Sequence, residues 1–430
     1  MPAARPLRIA WLGGAPVEGG GAPGIVTDLL EGLAERGHRI DCFFPASPRE
    51  LPERLAKYES LKFVWGTSDW RWDRWYSRTK VGAFATGLFS RGLASVRLRR
   101  EVVRRHREQP YDLIYQNQSI ESLGVPTSLA RTLPFVIRPD THQAGELKCL
   151  LREWRLSLRC QPPYVFVVVA SIMFVRALVQ RVKIRDANLL VAISSVFRDH
   201  MVHDYHFPLE HTVVVQNPVN LDRFVNAERG SGEPPVVLVP TRITARKGIE
   251  DVVSVAKLLH ERGVNARVRI VGGPSLFSDY TKLLEDLPTD NSEWIGKVAH
   301  SDMPAEFLRS DVMLLASKFD PCPMVVLEGL AAGVPVVATS EVGSIEQVDR
   351  SVAAEVTPGD VEGLVSAITA MLERVRADPH GTRALARAEA ERLFAPSVIC
   401  DQLSAALEGL VTGAEDESSA EVVAAPASPR

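Results

Sequence analysis

Cysteine is scarce in this chain. The five that occur, Cys42, Cys149, Cys160, Cys322 and Cys400, are odd in number and never spaced as C-x-x-C. That excludes a disulfide framework and a thiolate zinc site as starting points, and reduced thiols in a cytoplasmic setting are expected. A basic excess is also lacking. The formal net charge is −3 and the pI is near 6.4, which argues against a nucleic-acid partner. At the N-terminus, MPAARPLRIAWLGG runs straight into a strand-like segment. No basic region precedes a long apolar one, so no signal peptide is expected there. The most apolar window, YVFVVVASIMFV (164–175), is interrupted by Arg176 and falls short of the roughly 18–20 residues of a spanning helix. Arg152, Arg155 and Arg159 precede it, and Arg181, Lys183 and Arg185 follow. Two readings stay open: a buried core helix, or a segment lying on an anionic membrane surface. A second basic run, RGLASVRLRREVVRRHR (91–107), fits either a solvated helix face or the same surface.

What is present is ordinary for a globular protein of two or three domains: 430 residues, 46% hydrophobic and 24% charged. Short β-type runs alternate with helical patterns almost throughout. The first series is RIAWLGG (8–14), RIDCFFP (39–45), DLIYQN (112–117), FVIRPD (135–140), NLLVAIS (188–194) and TVVVQN (212–217). The second is VVLVP (236–240), VRIVGG (268–273), SEWIGKV (292–298), VMLLAS (312–317) and PVVAT (335–339). Continuous apolar strands separated by helices predict parallel sheets covered on both faces. A Pro-, Gly- and polar-rich joint at 216–235 separates the series. The expected architecture is therefore α/β, with two doubly wound, Rossmann-like domains at 1–215 and 218–395 facing a cleft. A helix near 396–412 would cross back to the first domain. The last 17 residues, 414–430, are expected to be disordered.

Three stretches carry chemistry. GGAPVEGGGAPG (13–24) follows the first strand and leads into a helix, where backbone can approach an anion closely; a flexible turn reads equally well. TRITARKG (241–248) places Arg242, Arg246 and Lys247 just past a strand's carboxyl end, where open sheets bind ligands, and a fork plus a point charge suit a diphosphate. In SKFDPCPMVVLEGLAAGVPVVAT (317–339), a helix should begin near Pro323 or Met324. Asp320 then lies before it and Glu328 about one turn inside it. With no cation expected beside them, the two acids would accept hydroxyls while the basic loop takes phosphates. HMVHDYHFPLEH (200–211) carries four histidines, but a metal site there is the lesser reading.

In this order the stretches resemble the retaining GT-B glycosyltransferases of family 4 (group 1). QNPVNLDRF (216–224) resembles the family's interdomain N-G-V-D-x-x-x-F segment, and TRITARKG its G-R-x-x-x-x-K-G. DPCPMVVLEGLAAGVPVVAT resembles its E-x7-E signature with the trailing A-x-G-x-P-V-V-A, and GSIE (343–346) its G-G-x-x-E. The resemblance implies a GT-B fold and transfer of a sugar from a nucleotide-diphosphate donor, UDP-sugar ahead of GDP-sugar, to a glycan, glycolipid or natural-product hydroxyl. It also implies roles. Arg242 and Lys247 would grip the diphosphate, Glu328 the ribose and Asp320 the donor sugar. Cys322, Pro323 and Met324 would line the sugar pocket, with Gly296, Lys297 and Val298 beside the base. Gly19, Gly20 and Gly21 would approach the phosphates from the first domain, and His142 in RPDTHQAGEL would be the active-site histidine. Asp for Glu at 320, PCP at 321–323, Pro218, Asn220 and Thr241 depart from the family pattern. No D-x-D triplet occurs, so neither an essential metal nor a cofactor is expected. The remaining readings are a sugar-nucleotide epimerase on the same fold and an inactive scaffold subunit. The inner face of the membrane is a further expected location, with peripheral contact only.

Overall fold

A computed structural model describes residues 5–16, 22–45, 51–66, 75, 78–117, 125–224, 234–275 and 278–424. Seven strands form the first sheet: β1 Arg8–Leu12, β2 Arg39–Phe44, β3 Leu61–Trp65, β4 Leu113–Gln116, β5 Phe135–Ile137, β6 Leu189–Ala192 and β7 Thr212–Val214. Six form the second: β8 Val236–Pro240, β9 Arg267–Val271, β10 Ser292–Gly296, β11 Val312–Leu315, β12 Val336–Thr339 and β13 Ala353–Val356. Their orders are β3-β2-β1-β4-β5-β6-β7 and β10-β9-β8-β11-β12-β13, and every neighbouring pair is parallel. The fold is thus the expected pair of Rossmann-like sheets. In each, chain direction along the sheet reverses once, at β1/β4 and at β8/β11. These are the switch points where the loops that follow adjacent strands diverge and leave room for a ligand.

The helices used below are α1 Ala22–Glu35, α2 Lys80–Glu108, α3 Gln143–Arg152, α4 Trp154–Cys160, α5 Pro163–Ile184, α6 Ser195–Tyr205, α7 Ile249–Glu261, α8 Met324–Ala331 and α9 Pro396–Ala424. Side chains alternate across each strand, so one strand feeds two cores. In the first sheet, Ile9, Trp11, Ile40 and Cys42 face α1 and α9. Ala10, Leu12, Phe43 and Ile114 face a layer that includes Leu98 of α2, Ile184 of α5 and Phe197 of α6. β8 reads VVLVP and is buried throughout, with α7 on one face and α8 on the other. Gly37 stops α1 at φ 82°, where the amides of Gly37 and His38 return to Ala34 and Leu33 carbonyls.

Three sequence expectations need correction. β3 and β13 were not anticipated; both are edge strands, and LKFVW and AAEV mix polar residues into short runs. α9 runs on to Ala424, past the 396–412 expected for the crossover helix, with its first half anchored by Ile399, Cys400, Leu403 and Leu407. α5 runs unbroken through Arg176 for 22 residues, and it is not a core helix. Only Ala177, Gln180 and Ile184 are buried along it. All five cysteines are unpaired.

Candidate functional site

The β8/β11 switch point organises the site. Because β8 and β11 are neighbours, the loop 241–248 and the loop 316–323 leave the sheet side by side. Gly248 lets them touch. Its φ is 61°, and a Cβ there would sit 1.9 Å from the Ala316 carbonyl oxygen. Gly248→Ala is expected to cost more than about 2 kcal/mol of unfolding free energy, read as an earlier midpoint in urea.

On this scaffold Lys247 donates to the Asp320 carboxylate, both being buried. Arg246 Nη1 reaches the other carboxylate oxygen at 3.2 Å and the Phe319 carbonyl at 3.1 Å. Asp320 is therefore not the uncompensated hydroxyl acceptor expected from sequence. A carboxylate this deeply buried needs a cation, and the adjacent loop supplies two. Burial alone would raise the Asp320 pKa, but Lys247 and Arg246 hold it below the usual range. Burial pulls Lys247 down to about 8 against the pull of Asp320. Arg242 makes no side-chain ion pair among the described residues. It lines, with Arg246, Thr244 and Ser275, one wall of a cavity of about 260 Å³. The opposite wall comes from the first domain and includes Glu146 and Gln161. Glu146 lies 3.8 Å from Arg246.

Glu328 is different. It lies on the buried side of α8, 5% exposed, after a helix start at Pro323/Met324 as the sequence predicts. The His300 ring lies 3.5 Å from it, and burial and Arg223 lower the His300 pKa, so the ring brings no firm countercharge. Arg223, from the interdomain segment, holds His300 through Nε2 at 3.1 Å and through its carbonyl at 2.6 Å. Burial pushes the Glu328 pKa up to about 7, with Arg223 pulling weakly back. This is a desolvated carboxylate with spare acceptor capacity. Gly296, at φ 79°, ends β10 a few residues before His300, and Val298 packs into the same core as Leu327 of α8. Val298 thus shares a core with α8, the helix that carries Glu328. Sequence reasoning did not assign His300, Arg223 or Glu146, while Arg246 was read only as part of the basic loop.

The 319–324 loop touches both domains. Cys322 and Met324 pack against cores of each sheet. Asn217 links them: its side-chain amide donates to the Cys322 sulfur at 3.2 Å, and its carbonyl oxygen accepts from the buried Arg138 guanidinium at 2.6 Å. Pro323 caps α8 and offers no N–H. Nearby, Ser195 N–H donates to Glu346 at 2.8 Å. His142 does not open into the cavity. It is fully buried before α3, with Nε2 3.3 Å from Asp204 and with Phe197, Tyr205, His200 and Phe319 around the ring. Burial lowers its pKa to about 3 despite Asp204, so the ring is neutral. The four histidines of 200–211 diverge. His200 meets Glu341 of the second domain at 3.1 Å, His203 bonds Asp204, and His206 ends α6 at φ 54°. His200 thus ties this segment to the second domain. Gly19, Gly20 and Gly21 lie outside the described residues.

Comparison with known proteins gives two adjoining family matches: "Glycosyltransferase Family 4" over residues 19–223 and "Glycosyl transferases group 1" over 222–381. A glycogen synthase of Mycobacterium tuberculosis is 25% identical over 214 residues, 49% of this chain and 50% of that protein, so the chain spans about half the length of this curated relative. Among solved structures, sucrose-phosphate synthase from Thermosynechococcus elongatus superposes with a TM-score of 0.66 at 19% identity, covering 95% of this chain and 100% of its own. Anabaena Alr3699/HepE, solved in complex with UDP and glucose, gives 0.59 at 18% identity over 93% and 99%. At these identities the structures speak to fold.

Proposed function

This chain belongs to the group 1, family 4 glycosyltransferases, and from that premise we propose that it is a retaining enzyme using a nucleotide-diphosphate sugar, with a UDP-sugar as first choice. The observation that carries the reading is the division of labour at the β8/β11 switch point. Arg242, Arg246 and Lys247 gather positive charge beside the cavity, while Glu328 keeps a lone, desolvated carboxylate on α8. The first group suits a diphosphate and the second a pair of ribose hydroxyls. Gly296, Lys297 and Val298 would flank the base. Cys322, Pro323 and Met324 would form the sugar-side loop, and Gly19, Gly20 and Gly21 would close over the phosphates.

In the proposed reaction the bond from the anomeric carbon to the phosphate oxygen breaks as the bond to the acceptor oxygen forms on the same face. The acceptor hydroxyl's proton passes to the departing phosphate. Arg242 and Lys247 stabilise the charge that builds there. Asp320 is better placed to hold Lys247 and Arg246 charged and oriented than to read the sugar. His142 would reach the reacting centre only after the Phe319 contact opens. The acceptor is a glycan, glycolipid or natural-product hydroxyl, and the proposed workplace is the cytoplasm or the inner membrane face.

The test is thermal stabilisation by a panel of nucleoside diphosphates and nucleotide sugars. A ligand at 100 times its Kd should add about 2.7 kcal/mol. Stabilisation by one nucleotide series is expected. No shift with any nucleotide would sink the reading and leave an inactive scaffold.

A further inference from the structure

α5 has two opposed faces. In a helix, residues three and four apart share a side. Phe166, Val169, Met173 and Arg176 line the cavity that Arg242 and Arg246 bound from the second domain. Farther along the same side, Gln180 ties the helix down. It accepts from the Gln143 amide at 2.9 Å and the Tyr205 hydroxyl at 2.7 Å, and donates to the Thr141 carbonyl at 2.7 Å. The other side is apolar and uncovered. Tyr164, Val167, Phe174, Val175 and Val182 are each more than half exposed, and Leu178 nearly so. Trp154 and Leu158 of α4 extend the patch.

The chemistry around this patch selects its occupant. Between Leu151 and Arg185 there are seven cations and one acid, Glu153. That acid is taken by Lys318 at 3.0 Å. Arg155 sits over the Trp154 ring, 5.3 Å from its centroid. Apolar residues exposed along a helix of roughly 33 Å, with cations at both ends and an aromatic at the margin, match a bilayer surface carrying anionic head groups. The helix is long and apolar enough to cross a membrane by length and composition. Crossing would break all three Gln180 bonds and leave Arg176 in hydrocarbon, so its anchored side fits a helix lying in the plane.

We propose that α5 docks this protein on an anionic membrane surface and that the acceptor is an amphiphile held in that membrane. One helix would then meet lipid on its outer side while lining the cavity on its inner side. The acceptor hydroxyl then lies close to its head group, and a phosphate in that head group would meet Arg176. This rests on the transferase reading above for the word acceptor, but not for the docking.

The experiment is flotation of the full chain with phosphatidylglycerol/phosphatidylcholine vesicles and with phosphatidylcholine alone. It compares wild type with Val167→Ser/Phe174→Ser/Leu178→Ser, three exposed positions away from the cavity. Wild type is expected to float with the anionic vesicles, and the triple variant to partition at least about tenfold less. Nucleotide stabilisation and the thermal midpoint without ligand should be unchanged in the variant. Wild type that stays in solution with both vesicle types overturns the docking, as does equal flotation of the variant. So does a wild-type dimer, seen without lipid and lost in the variant, because a second copy then covers the patch. Transfer to a water-soluble sugar at a rate that vesicles do not change overturns the membrane-held acceptor. Flotation without any nucleotide response sinks the transferase reading and leaves the docking standing.

Discussion

Replacing Lys247 with methionine is expected to abolish transfer and to lower the unfolding free energy by about 3 kcal/mol. Two roles meet in this one side chain. Its ammonium is proposed to hold the donor diphosphate, and in the structure it neutralises Asp320, which is only 5% exposed. Removing one member of a buried pair leaves the other as an uncompensated charge, and that penalty usually exceeds what the pair itself contributed. Arg246, still 3.2 Å away, keeps the loss toward the lower end. Asp320→Asn in the same background separates the roles. It removes the stranded charge, so most of the stability should return, while activity should not. Urea titration and an end-point transfer assay read the two. A single variant that retains activity would remove Lys247 from the phosphate site. A double variant no more stable than the single would mean that the buried pair does not explain the loss. Because burial holds Lys247 near 8, activity of the unmodified enzyme is also expected to fall as pH rises past that value and the ammonium loses its proton.

The Lys247–Asp320 pair also marks where reading the sequence stops. The strand VVLVP and the strand VMLLAS were both legible as apolar runs, and so were the loops that follow them. Their adjacency was not, because nothing in either run states that β8 pairs with β11 rather than with another strand. Without that fact Asp320 looks like an acid in search of a hydroxyl. With it, Asp320 is the counterion of a loop 73 residues earlier in the chain. His300 and Arg223 were invisible for the same reason. Each belongs to a different loop, and they converge on Glu328 only through tertiary structure. His142 is the opposite case. Its motif is legible, but burial behind Phe319 is a property of how the domains meet. α5 shows a third limit. Composition gave its apolarity and its cationic margins, while which side faces the domain depends on the Gln180 anchor, a polar residue in an apolar run that carries no periodic signal.

Glu328→Gln should weaken nucleotide binding by about 10–100-fold at pH 8 while making the unliganded protein more stable. The two effects have one cause. The carboxyl is buried on α8 with the His300 ring 3.5 Å away, and burial raises its pKa from 4.5 to about 7. For an acid whose folded value is raised, the folded state prefers the protonated form. Stability is therefore undiminished below about 4.5, falls as pH rises toward 7, and stays reduced above that. The shift corresponds to a loss on the order of 3 kcal/mol. Glutamine has no proton to lose, so the variant should lack this slope and exceed wild type above pH 7. Binding runs the other way. Ribose hydroxyls donate to the ionised carboxylate, so wild-type affinity should climb between about pH 5.5 and 7 and then level off, and occupancy should draw the Glu328 pKa down. The variant should bind weakly at every pH, with that rise gone. Urea titrations and calorimetric titrations with the nucleoside diphosphate that stabilises the protein best, both across pH 5 to 8.5, measure the pair of slopes. A variant that binds as tightly as wild type would show that the ribose is held elsewhere. A variant whose stability keeps the wild-type slope would place the titrating group outside α8.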